Sequence, residues 1–169
     1  MTPISMHAAS APVFARMLDN MLRWLEAAKA HAEAKKFSTD VYLTLRLAPD
    51  MLPFPKQIQI ASDAAKGCVA RLAGQEVPKY EDNEASLDEL AERIRKTRDY
   101  VLSVPAAAFE GAESREITIP RRSGDPLKFS GIDYLRHFAL PNFYFHATTT
   151  YALLRHAGVP LGKTDYLGG

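Results

Sequence analysis

Four stretches of this chain repeat their apolar residues at intervals of three and four, and that period limits the folds open to it. In the first, Phe14, Met17, Met21, Leu25 and Ala28 step along one face of a helix expected from about Ser5 to Lys36. Pro12 either kinks this helix or marks its true first turn after Ser10. The second begins after Pro55 and ends near Ala73, with Gly74 as its stop. Small residues fill its middle, Ala61-Ser-Asp-Ala-Ala-Lys-Gly-Cys68, so a neighbouring helix can approach closely. Ser86-Leu-Asp-Glu89 is a capping box that opens the third, in which Leu87, Leu90, Ile94 and Val101 form a stripe under a charged outer face. Ser130-Gly-Ile-Asp133 opens the fourth, and Pro141 inside it predicts a kink or a restarted turn.

The links are of two kinds. Ser38, Thr39 and Asp40 are cap residues, and Val41 to Leu47 reads as a short extra helix before the three prolines of Ala48–Pro55. Between Arg115 and Phe129 the period drops to two: Glu116-Ile-Thr-Ile119 and Leu127-Lys-Phe129 flank the turn residues Ser123-Gly-Asp125. The expected architecture is an all-α, up-down four-helix bundle over residues 1–169, one domain, with a small β-hairpin between helices three and four. The last nine residues read as a tail docked through Tyr166 and Leu167.

Composition narrows the function. The chain has 169 residues, 47% of them hydrophobic, enough for one well-buried core. Lys and Arg number 21 and Asp and Glu 20, a net charge of +1, which is no footprint for nucleic acid. The one cysteine, Cys68, excludes an internal disulfide and a Cys-based zinc site, and its small-residue setting marks it as a packing thiol. No apolar run reaches the roughly 18–20 residues of a membrane span, and Met1 to Met6 carries no signal-peptide pattern. A cytoplasmic protein is expected.

The fourth helix holds the main anomaly. Leu135, Phe138, Asn142, His146, Thr149 and Leu153 share one helical line, yet three of them are polar. Burying unpaired polar groups costs roughly 1–3 kcal/mol each, so this line needs hydrogen-bond partners, a ligand or a metal. Asn142 and His146, four apart, lie one turn from each other on one face. Three readings stay open for them: a structural hydrogen-bonded pair, a ligand pocket, and metal ligation with His146 as the candidate ligand. Gln59 and Asp63 on helix two are also four apart. Asp63 is either exposed or paired with Arg46 or Lys66, and Asp50 reads as a cap. His137 belongs on the opposite side from His146. His31 and His156 read as surface residues, and His7 could reach the bundle mouth. No nucleophile triad, phosphate loop or carboxylate pair stands out.

The segment His146-Ala-Thr-Thr-Thr-Tyr-Ala-Leu-Leu-Arg-His-Ala-Gly-Val-Pro160 resembles the last helix of the DinB/YfiT-like metalloenzyme superfamily. Arg46–Met51, Gln57–Asp63, Ala70–Gly74, Phe138–His146 and Gly158–Lys163 resemble one uncharacterised bacterial subfamily of it, a domain of unknown function. The resemblance implies a metal site of three histidines, one on helix two and a pair four apart on helix four. Of these His146 is present, Asn142 stands at the earlier position of the pair, and the helix-two position falls near Gln59. The expected function is that of a metal-free bundle, without a cofactor and forming a homodimer, whose pocket near Gln59, Asn142 and His146 takes an unknown small molecule or serves an interaction. The alternative is a zinc- or nickel-dependent transferase or hydrolase-like enzyme that activates a thiol, with Asp63 or His137 recruited beside His146.

Overall fold

The computed structural model describes residues 4–168 other than 122. Met1 to Pro3, part of the stretch read for a signal, and Gly169, the last tail residue, lie outside the described residues. Helix α1 spans Ala11–Lys35, and Pro12 occupies its first turn, where no backbone N–H is needed. Residues 6–10 are turns, closed by the Ser10 hydroxyl, which donates to the Met6 carbonyl at 2.6 Å. The expected start at Ser5 is therefore six residues early. A one-turn helix, α2 (Asp40–Leu43), precedes α3 (Phe54–Leu72). Helix α4 (Leu87–Ser103) is capped as expected: the Ser86 hydroxyl accepts from the Glu89 amide at 3.2 Å. The Glu89 carboxylate reaches back one residue further than a capping box requires, to the amide of Ala85.

A 3-10 turn (Ala106–Phe109) leads to strands β1 (Glu116–Ile119) and β2 (Leu127–Ser130), paired antiparallel with Ile117 opposite Phe129. Ser130 then caps α5 (Gly131–Tyr134). No break occurs at Pro141. The chain runs from α5 through one π turn (Leu135–Ala139) directly into α6 (Leu140–His156). Proline cannot donate to the carbonyl one turn back, and its ring crowds that carbonyl. Widening the turn to an i→i+5 pattern accommodates both effects without a kink.

Helix α1 packs on α4 and α6, and α3 packs on the same two, so α1 and α3 lie diagonally across the bundle. The long links 36–53 and 104–130 cross its ends, and chain order is not neighbour order. Trp24, Phe14, Phe143, Met21, Ile58 and Leu90 fill the core, with Phe14 edge-on to Phe143 at 4.9 Å. The tail forms α7 (Lys163–Leu167), held against α1 by Trp24 Nε1 donating to the Asp165 carbonyl and Asn20 Nδ2 to that of Tyr166. Tyr166 stacks on Trp24, whereas Leu167 stays exposed. Gly131 lies so close to the segment before β1 that a Cβ there would overlap the Ala112 carbonyl oxygen. This contact fixes where the last helix starts.

Candidate functional site

His146 lies on α6 facing α3, and its partner is Gln57. The His146 Nδ1 to Gln57 Oε1 distance is 2.8 Å, and Gln57 Nε2 donates to the Leu52 carbonyl, also at 2.8 Å. The second bond orients the amide, so the first must run from Nδ1–H to the amide oxygen. The ring is therefore the Nδ1-protonated tautomer, with its lone pair on Nε2. Burial lowers the His146 pKa, which keeps the ring neutral at pH 7. Gln59, two residues along α3, points elsewhere: its Nε2 donates to Glu84 Oε2 at 2.8 Å. Residues two apart on a helix differ by about 200°, so only one of the two glutamines can meet α6.

Asn142 and Asp63 do meet at one cavity. It lies between α3 and the last helix, holds about 150 Å³, and is lined by Ile60, Asp63, Ala64, Arg71, Ile119, Tyr134, Phe138, Ala139 and Asn142. The π turn makes this lining possible. Eight residues of α-helix turn through about 800°, leaving positions 134 and 142 about 80° apart. One extra residue in the turn sets the later helix back by about 100°, so Tyr134 and Asn142 come within about 20° of each other. His146 is one turn further on and does not line the cavity.

Arg71 and Tyr134 supply the cavity's polar floor. Arg71 is half-buried and donates from Nη1 to the Tyr134 hydroxyl at 3.2 Å. In the last turn of α3 its charge complements the helix dipole. Its head nevertheless folds back over Gly67, where an added Cβ would stand 2.5 Å from Nη1. Glycine inside a helix costs about 1 kcal/mol relative to alanine, and here it leaves the room the guanidinium occupies. Tyr134 is 2% exposed, and burial above all pushes its pKa up to about 12, so it holds its proton at pH 7.

Asp63 stands at the rim and links this cavity to a second cluster. Its Oδ1 accepts from Lys66 Nζ and Arg93 Nη2, each at 3.0 Å; Arg46 instead donates to the Met51 carbonyl. The Arg93 side chain is 2% exposed and also binds Glu84 Oε1 at 2.9 Å, Asp82 Oδ1 at 3.0 Å and the Glu81 carbonyl. It pins the loop 75–85 across α3 and α4. Burial raises the Glu84 pKa, but hydrogen bonds from Arg93 and Gln59 outweigh it and hold the carboxyl below its ordinary value.

The remaining candidates lie apart. His137 is exposed beside Asp133, His31 Nδ1 bonds the Tyr42 hydroxyl at 2.8 Å, His156 is exposed, and His7 packs edge-on to Phe109. Asp50, near the chain's proline-rich link, is exposed. Burial drives the Cys68 thiol pKa far up, the setting of an inert thiol. Among the described residues, no three His, Cys, Asp or Glu side chains are placed to share a metal ion, and no helix is long and apolar enough to cross a membrane. Spacing pointed to Asp63, Asn142 and His146, but Gln57, Arg71, Tyr134 and Arg93 were missed. Only Arg71 carries a local signal, the glycine four residues before it.

No curated protein matches the chain. A crystal structure described as a DinB family member protein from Shewanella denitrificans is 40% identical, with a TM-score of 0.88 over 97% of this chain and 92% of that one. The family described as a domain of unknown function, DUF1993, matches residues 6–167. The chain belongs to that family of DinB-like four-helix bundles.

Proposed function

We propose that the protein binds a small polar molecule without a metal, in the cavity between α3 and the last helix. The observation that carries this reading is the convergence there of Asp63, Asn142, Arg71 and Tyr134 around apolar walls. Such sites are apolar clefts with a few placed polar groups. At about 150 Å³ the cavity is small beside the roughly 300–1,000 Å³ of drug-sized pockets, so the ligand has few heavy atoms.

The metal that the superfamily likeness implies does not fit these residues. The group that meets His146 is the neutral amide of Gln57, which already engages Nδ1, and the other two positions of the implied site hold the neutral amides of Asn142 and Gln59. One imidazole nitrogen with amide oxygens is a weak donor set for zinc or nickel.

Two measurements test the reading. Protein purified without a histidine tag should contain no stoichiometric zinc, nickel or manganese, and these ions should not raise its Tm; metal that disappears in His146→Ala would overturn the metal-free reading. Small polar fragments should shift amide NMR signals in residues 60–71 and 134–142, and Ala64→Leu, which fills the cavity, should abolish the shifts. If no fragment shifts them, binding at this cavity is refuted.

A further inference from the structure

The half-buried Arg71 guanidinium has no counter-ion among the described residues. Among the described residues no carboxylate lies within 4.0 Å of it, and its single hydrogen bond is to the Tyr134 hydroxyl. A cation withdrawn from water in this way is favoured only when an anion or strong acceptor reaches it. Tyr134, in accepting from Arg71, keeps its own proton, for which no acceptor is present among the described residues. Two donors 3.2 Å apart thus face the same cavity end.

The other end is an acceptor. Asp63 Oδ1 is engaged by Lys66 and Arg93, which leaves Oδ2 open. The half-buried Asn142 amide makes no hydrogen bond to a described residue and lines the same end of the last helix. Ile60, Ala64, Ile119 and Phe138 separate the two ends. Asp63 and Arg71 are eight residues apart on α3, about 12 Å along its axis, and the fold of Arg71 back over Gly67 shortens this by about one 5.4 Å turn.

We propose that the cavity takes a short linear carboxylic acid with a hydroxyl or amino group at its far end. Its carboxylate pairs with Arg71 and Tyr134, and its far group donates to Asp63 and Asn142. The remaining gap of about 7 Å, with a hydrogen bond of about 2.8 Å at each end, fits a two-carbon acid. This assignment rests on the binding reading above and names its ligand class.

NMR shift mapping with glycolate, glycine, acetate, ethanol and ethylamine tests it. The first two should produce saturable shifts in residues 60–71 and 134–142 at millimolar concentration, and acetate should bind several-fold more weakly. Arg71→Lys, which loses the planar fork, should weaken the carboxylates about tenfold. Gly67→Ala should leave the fold intact and abolish carboxylate binding, because its Cβ displaces the guanidinium. Asn142→Ala should reduce the preference for glycolate over acetate, with Asp63 keeping the remainder. If ethanol or ethylamine binds as well as the acids, or if Arg71→Lys and Gly67→Ala leave the acids unaffected, the carboxylate assignment fails while the cavity stands. If no probe shifts these residues even at tens of millimolar, both readings fail together.

Discussion

Replacing Arg93 with methionine keeps most of the side-chain volume and removes the charge that four acceptors share. The acceptors are not equivalent. The side chains of Asp63 and Asp82 are 48% and 41% exposed, so water can replace Arg93 there at a cost below about 1 kcal/mol each. Glu84 is 10% exposed and would keep the Gln59 amide and a backbone amide but no cation. Removing one partner of a buried ion pair costs roughly 3–5 kcal/mol, and the residual Gln59 bond places this case at the low end, about 3 kcal/mol. For a chain of this length that lowers Tm by roughly 6–12 °C. Urea denaturation of Arg93→Met, Glu84→Gln and the double variant forms a cycle in which the double should be more stable than the sum of the singles by at least about 1.5 kcal/mol. The pH dependence has a fixed sign. The Glu84 and Asp82 carboxyls are held below their ordinary values of 4.5 and 3.8. Their stabilisation is complete above those values and is lost as pH falls through the depressed folded ones. Arg93→Met should therefore flatten the stability profile below about pH 4.5. An Arg93→Met protein within 1 kcal/mol of the parent, or a cycle with no coupling, would refute this account of the loop.

Gln57→Leu leaves the His146 Nδ1–H without its acceptor, costing about 1–3 kcal/mol, and frees the ring tautomer; a ring-nitrogen NMR spectrum still showing pure Nδ1–H would contradict the assignment. Gly67→Ala should match or exceed parent stability by up to about 1 kcal/mol in thermal denaturation, since the only atoms it displaces belong to a flexible side chain. Gly131→Ala should do the opposite, because its Cβ meets backbone; a loss of at least 2 kcal/mol is expected, on the scale of overpacked cores. Trp24→Phe removes the indole donor to the Asp165 carbonyl, and faster amide exchange confined to residues 162–168 is the expected reading.

What could be read from the sequence was local. Ser86 and Ser130 cap helices because a hydroxyl three residues before an amide is enough to do so, and β1 and β2 show their period over four residues each. Pro12 and Pro141 carry the same local signal but have different outcomes. Pro12 starts α1, whereas Pro141 sits inside a continuous helix because the turn before it can widen. Nothing in the apolar pattern announces one extra residue. Gln57 and Gln59 are chemically identical, and only the packing of α3 between α4 and α6 decides which of them meets His146. Arg93 reads as part of a charged outer face, yet the loop 75–85 folds over it, and a contact nine or more residues distant leaves no periodic trace.

The π turn at Leu135–Ala139 also sets regularity against the cavity. Deleting a single residue there would give an unbroken α-helix and restore ordinary hydrogen bonding along it. Seven residues of α-helix turn through about 700°, so Tyr134 and Asn142 would still lie within about 20° of each other and the cavity wall would survive. The core face of α6, from Phe143 to Leu154, would keep its place on α1 and α3. A shortened chain of this kind would keep both its bundle and its cavity wall, whereas closing the turn with the residue count unchanged would leave Tyr134 about 80° from Asn142, so what the wall depends on is the match between turn geometry and chain length.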